Sequence, residues 1–426
     1  MGRGIGGGRD QATLRRLVQA AATASALALA LSACGAEGPT DRAASTVTDS
    51  AGVWIVTSAK PSAPGSISVD AEPSNVIGSL EGPPEDNLSR VWDATVLADG
   101  RIALLNSDAA EVQLRSADGA HLQTLGRRGG GPGEFQIPRW VQVIGDTLAV
   151  YDPFQSNGRL TLYSLDGELL EVVRPEVDGL AYPDPNAILA DGSFFDERSE
   201  PSIEWPETGY TAYTRYPIRF PRTGERIDTL TKAPGTERFS EADGNARLAW
   251  DIPFGREAQT AVAGERIYLS DGSRAVVDGH SFDRGHVISI RLKVDPTPVT
   301  PEDVARWIDV RLSNPLYERR PDAAGRARAQ YQETPSAERM PIHQEMVADA
   351  TARLWVRRYT PPWEPSNSWW VFGEDGIWLD TVELPLGVEV FEIGERQLLG
   401  HRTDELGVEY VVVHDVSSAQ PLDPMR

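Results

Sequence analysis

Three arginines, Arg90, Arg139 and Arg256, each stand just ahead of a stretch in which apolar and polar residues alternate. Alternation is the period of a half-buried strand. Residues that lead into the inner strand of a repeated sheet point toward the axis around which the repeats are arranged. Trp92, Trp140, Asn186, His343 and Glu345 hold comparable places. A guanidinium fork matches a carboxylate or phosphate bidentately, so three converging arginines would focus positive potential within an acidic chain. Asp93, Glu134 and Asp251 are the neighbours expected to neutralise them as internal struts, because buried charges need partners.

Other chemistry is sparse. Of the histidines His121, His280, His286, His343, His401 and His414, only "HSFDRGH" (280–286) brings two together, and its spacing is not that of a zinc site. No Asp-x-Asp-x-Asp-Gly calcium loop and no Gly-x-Ser-x-Gly elbow occurs. We therefore assign no catalytic residue, metal ligand or cofactor. The glycine-rich "TLGRRGGGPGEF" (124–135) invites a phosphate-cradle reading, but no Lys-Ser/Thr and no helix follow it. A strand pattern follows, so the stretch reads as a sharp crossing between repeats. Tryptophans concentrate in "WWVFGEDGIW" (369–378) with Trp355 and Trp363. Most are expected to pack in the core, with Trp363 the most exposed.

The elements that must position these residues begin after a leader. Four arginines precede an apolar run from about Leu17 to Leu31, which ends in "LSAC". The run is short for a bilayer span and fits a secretory signal over 1–33. Cys34, the chain's one cysteine, follows it. Removing that leader, four arginines against Asp10, takes the net charge from −22 to −25. So acidic a chain is repelled by nucleic acid. Residues 34–52 are small and polar and read as a flexible tether, 53–418 as the folded region, and 419–426 as a tail.

From residue 53 on, a unit of four apolar runs separated by tight turns recurs. "ATVLADGRIALLNSDAAEVQLRSADGAHLQTLG" (94–126) shows it best, with Asp-Gly at both hairpins. Further copies span 141–173, 186–230, 260–292, 345–384 and 388–416. The third carries an insertion and the last lacks its fourth strand. "ISVDAEPSNVIG" (67–78) resembles a fourth strand without a preceding unit, so the N-terminal segment is expected to complete the last copy. The fold class is thus all-β: a six-bladed β-propeller closed by an N-terminal strand. "TPEDVARWIDVRL" (300–312) breaks the pattern, with Thr300 as N-cap and Pro301 at the first helical position. It predicts a helical insertion over about 298–340, between blades four and five, serving as a packed cover or as a gate over a central pocket.

"LSAC" resembles the bacterial lipobox, and "GRRGGGPGEFQIP" (126–138) resembles the linker of NHL-repeat-like blades. Together with "PFGR" (253–256), they make the chain similar to six-bladed propeller lipoproteins of bacteria. That resemblance implies lipidation of Cys34, a lipid anchor in the envelope at the outer membrane or periplasmic face, and a monomer. The expected activity is binding, of a small anionic or sugar-like ligand or of a partner protein. A hydrolase or lyase with a channel metal, of the propeller lactonase or NHL type, is the alternative.

Overall fold

The computed structural model describes residues 45–155, 158–177, 184–201, 208–224, 227–243, 246–314, 317 and 319–419. The leader, Cys34 and residues 420–426 lie outside these. The described chain is nearly all antiparallel β-sheet. Sheet one is the meander Ala94–Val96, Ile102–Asn106, Glu111–Arg115 and His121–Leu125. Sheet two is Trp140–Ile144, Thr147–Asp152, Arg159–Ser164 and Leu169–Val173. Both follow directly from the alternation, and Gly100, Gly119 and Gly167 supply the positive φ of their Asp-Gly turns.

Sheet three starts at Ala187–Ile188 and Phe194–Pro201. Its next strand, Thr208–Phe220, is long enough to pair first with Ala233–Asp243 and then with Asp228–Thr229. The insertion expected in the third unit is therefore a ribbon that extends the sheet, ending in Ala246–Asp251. Sheet four is Gln259–Ala263, Arg266–Ser270, Val276–Ser281 and Gly285–Leu292, and sheet five is His343–Ala348, Leu354–Arg358, Ser368–Phe372 and Trp378–Glu383. Sheet six has three strands from the end of the chain, Glu389–Ile393, Gln397–Thr403 and Glu409–Ser418. Its outer edge is completed from the other end of the sequence: Ile67–Val69 pairs with Val416–Ser418, and Asn75–Ile77 with Val411–Val413.

One expectation needs correction. Residues 45–50, read as part of a tether, form a strand paired with Val53–Ser58, and that second strand runs parallel to Gly285–Leu292. Sheet four thereby gains two outer strands. The polar composition concealed a real alternation, Thr46-Val47-Thr48, whose partner lies far away in sequence.

Large apolar side chains fill the gaps between sheets. Six clusters of buried residues each join two sheets. Leu105 and Val112 meet Phe135 and Val150 between one and two; Tyr151 and Leu160 meet Phe194 and Phe220 between two and three. Phe195 meets Ile267, Tyr268 meets Trp370, and Trp369 meets Leu398 across the next three gaps. The sixth cluster joins the last sheet to the first, with Leu399 and Val411 against Ala94 and Leu104.

The glycine-rich stretch is one of the crossings between sheets. Phe135 is fully buried, and Gly126, at φ 78°, packs against its ring. The loop turns its carbonyls inward: Arg159 donates to Gly130 O at 3.1 Å and Gln136 Nε2 to Gly129 O at 3.0 Å. Its amides are used as well, Gly129 N on Phe135 O at 2.9 Å and Gly131 N on Glu134 at 2.8 Å. Two of the amides that a phosphate cradle would need are thus spent inside the loop. A Cβ at residue 126 would sit 2.4 Å from the Phe135 ring. Gly126→Ala is expected to lower stability by at least about 2 kcal/mol, from left-handed strain plus displacement of the ring. The check is a lower urea midpoint at unchanged m.

The helical insertion consists of α1, Pro301–Leu312, and α2, Pro321–Glu333. Thr300 caps α1 by accepting from Asp303 N at 3.2 Å, while the Asp303 carboxylate accepts from Thr300 N at 2.9 Å. Ile308, Leu312, Ala327 and Tyr331 pack the two helices together and onto Trp250 of the sheet-three ribbon.

Candidate functional site

The inner strands meet in a cavity of about 390 Å³ lined by Asp93, Thr95, Trp140, Gln142, Asn186, Phe391 and Glu392. A second cavity of about 310 Å³ continues past Asn186 and Ala187 to Phe195, Glu197 and Thr260. Residues from sheets six, one, two, three and four thus line two adjoining cavities that share Asn186 and Ala187.

Much of its polar lining stitches neighbouring strands together. Glu392 accepts from the Thr95 hydroxyl at 2.6 Å and from Val96 N at 3.2 Å. Asp93 accepts from Val141 N at 2.9 Å. Gln142 reaches the next strand twice, donating to Ile188 O and accepting from Ile188 N, both at 2.9 Å. Thr260 donates to Glu197 at 2.6 Å, and the buried Arg215 to Gln259 O at 2.9 Å. Gln259 and His343 then pair, Nε2 to His343 O at 3.1 Å and ring Nδ1 to Oε1 at 2.7 Å. Ala350 N donates to Ile393 O at 2.9 Å across the last gap.

Burial governs the charge of Asp93 and Glu392 in this lining, and of Glu345 and His343 outside it. Desolvation pushes Asp93 up to about 7, against the lowering effect of amides from Val141 and Ala94. Burial also raises Glu392 and Glu345. It lowers His343 to about 4, so the imidazole is neutral. Burial thus works against the charged forms of Asp93 and Glu392 in the axial wall.

These shifts have opposite consequences for stability. Asp93 holds its proton in the fold and loses it on unfolding, so its contribution falls as pH rises from 3.8 to about 7 and levels off above that. His343 refuses a proton in the fold and takes one on unfolding, so its contribution fades as pH falls from 6.5 toward 4. Between pH 6.5 and 8, Asp93 alone should remove just under about 1 kcal/mol. We expect urea unfolding to show this decline in the native chain and a difference of that size and sign from Asp93→Asn. Parallel profiles for the two proteins would contradict the assignment.

The residues singled out from sequence do not converge. Trp140 and Asn186 line the axial cavity, with Trp140 stacked on Tyr151 at 5.4 Å and its Nε1 donating to Pro185 O at 2.7 Å. The arginines are dispersed and individually paired. Arg90 lies 3.3 Å from Asp108 and over the Trp92 ring; Arg139 lies 3.5 Å from Asp184. Arg256 donates to Glu237 at 2.8 Å and sits 3.4 Å from Asp271. Each is paired, though not with the expected acids, and the Arg90 and Arg139 pairs are half exposed rather than internal. Asp93 serves backbone amides, Glu134 takes Arg127 at 2.8 Å, and Asp251 takes Arg238 at 2.9 Å and also Arg311. Glu345 lies 3.3 Å from Arg357. His343 faces a separate cavity of about 200 Å³ beneath α1.

No family model matches the chain, and no curated protein matches it. Solved structures of propeller type are similar to it. One is an inferred exported protein of Bacteroides fragilis, at 10% identity and TM-score 0.44, covering 86% of this chain and 100% of that one. Virginiamycin B lyase of Staphylococcus aureus gives 9% and 0.35, covering 82% and 99%. The PQQ-bound aldose sugar dehydrogenase of Streptomyces coelicolor gives 12% and 0.37, covering 84% and 100%.

Of the acids that shape the axial cavity, Glu392 escaped the sequence reading and Asp93 was read only as a partner for an arginine. A signal existed: Glu389 and Glu392 are charged residues inside the apolar run "VEVFEI". Among the described residues, no group of three or more His, Cys, Asp or Glu side chains is arranged to hold a metal ion.

Proposed function

We propose that the six sheets are the blades of a closed β-propeller and that the protein is a binding module of the bacterial envelope, anchored by lipid on Cys34. The six inter-sheet clusters support closure, since one of them joins the last sheet to the first. In this reading the axial cavity takes a small, uncharged, polyhydroxylated ligand of the sugar class. The observation that carries it is the pairing of an aromatic wall, Trp140 and Phe391, with carboxyl groups that burial drives toward neutrality. Aromatic faces stack on sugar rings, and protonated or bonded carboxyls offer hydrogen bonds without strong charge. An anionic ligand is disfavoured, because Arg90, Arg139 and Arg256 are each paired with a carboxylate and none lines the axial cavity.

The test is titration of the purified full-length chain with glucose, N-acetylglucosamine and glucose 1-phosphate, followed by tryptophan fluorescence. Saturable binding of a neutral sugar that falls at least tenfold in Trp140→Ala supports the reading. Preference for the phosphate ester, or binding indifferent to Trp140, refutes it. Hydrolytic or lyase turnover by the same chain would favour the catalytic alternative.

A further inference from the structure

The cavity beneath α1 is a different kind of place. Its walls are Phe254, Trp307 and Tyr359, with Pro341 and Pro362, and its polar lining includes Glu257, Gln344 and Asp271. Phe254 holds φ at 59°, a conformation that costs a bulky residue energy and recurs at ligand clamps. It is buried edge-on against Tyr359 and Trp363, each 6.4 Å away. The roof comes from the helical insertion: Trp307 and Arg311 project from α1, and Trp250 donates to Thr334 Oγ1 at 2.7 Å to hold the insertion down.

The local charges nearly cancel, with one left over. Arg311 is occupied by Asp251, which also takes Arg238 at 2.9 Å, and Arg256 bridges Glu237 and Asp271. Those three cations face three carboxylates, and Arg306, 5.6 Å over the Trp363 ring, is balanced by Asp303. Glu257 makes no hydrogen bond or ion pair among the described residues. The Tyr359 phenol responds to this field: burial raises it first, and the charges of Glu257 and Asp303 raise it further. At about 200 Å³ the space equals roughly seven water-sized groups at about 30 Å³ each.

We propose that this cavity is a second binding site, for a small organic cation of the alkylammonium class, with Phe254, Trp307 and Tyr359 as its aromatic walls and Glu257 as its counter-charge. A desolvated cation over aromatic faces gains from each ring's quadrupole, and Glu257 supplies the opposite charge that the internal pairs do not consume. The site stands apart from the axial cavity and does not depend on the sugar reading. In it the helical insertion has a role as the wall that encloses the ligand.

The experiment is calorimetric titration of the full-length chain with choline and with 3,3-dimethyl-1-butanol, which has the same shape without the charge. Choline should bind saturably and the alcohol at least tenfold more weakly. Glu257→Gln, on an exposed side chain that carries no fold contact, should weaken choline severalfold with unchanged urea midpoint. Tyr359→Leu should weaken it by roughly two- to thirty-fold while Tyr359→Phe, which keeps the ring, leaves it near native. Equal binding of choline and the alcohol, indifference to Glu257→Gln, or no saturable choline binding would each overturn the proposal. Glucose binding here in preference to choline would overturn it too, making the cavity a neutral-polyol site.

Discussion

A chain that begins at Ser79 is expected to lose cooperative unfolding and to aggregate. The deletion removes Ile67–Val69 and Asn75–Ile77, the strands that complete sheet six, and with them Ser45–Ser50 and Val53–Ser58, the outer strands of sheet four. It strips Val411, Val412 and Val413, all essentially buried, of their outer neighbours and leaves a ten-residue strand as an open edge. Ile67 and Ile77 also leave the clusters that join sheet six to sheets five and one. Asp380, buried in sheet five, loses the amides of Gly65 and Ile67, at 3.0 and 2.9 Å, and is left with few partners. A rescue separates loss of the strand from loss of sequence as such. Ser66 O already accepts from Ala419 N at 2.7 Å, so residues 66–78 can be appended after Ala419 through a tight turn. That permuted chain should regain a single urea transition, at a midpoint still below the native one because Val53–Ser58 stays missing from sheet four. A truncated chain with the native midpoint would show that the ends do not hold each other, and the closed ring would fall with it.

What could be read in the sequence was local. The Asp-Gly hairpins of sheets one and two, and the Thr300-Pro301 start of α1, are fixed by residues within four positions of each other, so pattern alone finds them. The pairing of the N-terminal segment with the last strand was legible for another reason: a unit one strand short and an orphan strand at the other end have one economical solution. The parallel pairing of Val53–Ser58 with Gly285–Leu292 offered no such clue. The arginines illustrate a second limit. Arg256 was placed correctly ahead of an inner strand, but its partner Glu237 comes from the sheet-three ribbon and Asp271 from the following strand's end. A sequence shows which residues carry charge, whereas pairing depends on register between distant strands. The axial acids fell between these cases, visible as charges within an apolar run but without a stated reason to be there until the inner strands are set side by side.

The second large effect is expected at Asp349, which lines neither cavity. Its side chain is fully buried and accepts five hydrogen bonds. Oδ1 takes Thr351 N at 2.9 Å, Thr351 Oγ1 at 2.7 Å and Arg353 N at 3.0 Å. Oδ2 takes Arg353 Nε at 2.6 Å and Trp355 Nε1 at 2.8 Å. The residue thus closes the turn between the first two strands of sheet five, neutralises a buried guanidinium, and satisfies the indole of a fully buried tryptophan. Asp349→Ala leaves the Arg353 charge and the Trp355 N–H in an apolar setting, a loss of about 3–5 kcal/mol by the measure of other broken buried pairs. Most of that cost should come from the stranded arginine rather than from the missing bonds. Adding Arg353→Met to Asp349→Ala removes the stranded charge, so the double variant should be more stable than Asp349→Ala alone. Urea unfolding of the two single variants and the double variant measures this coupling directly. If the double variant is as unstable as the sum of the singles, the turn's backbone bonds carry the energy and the ion pair does not.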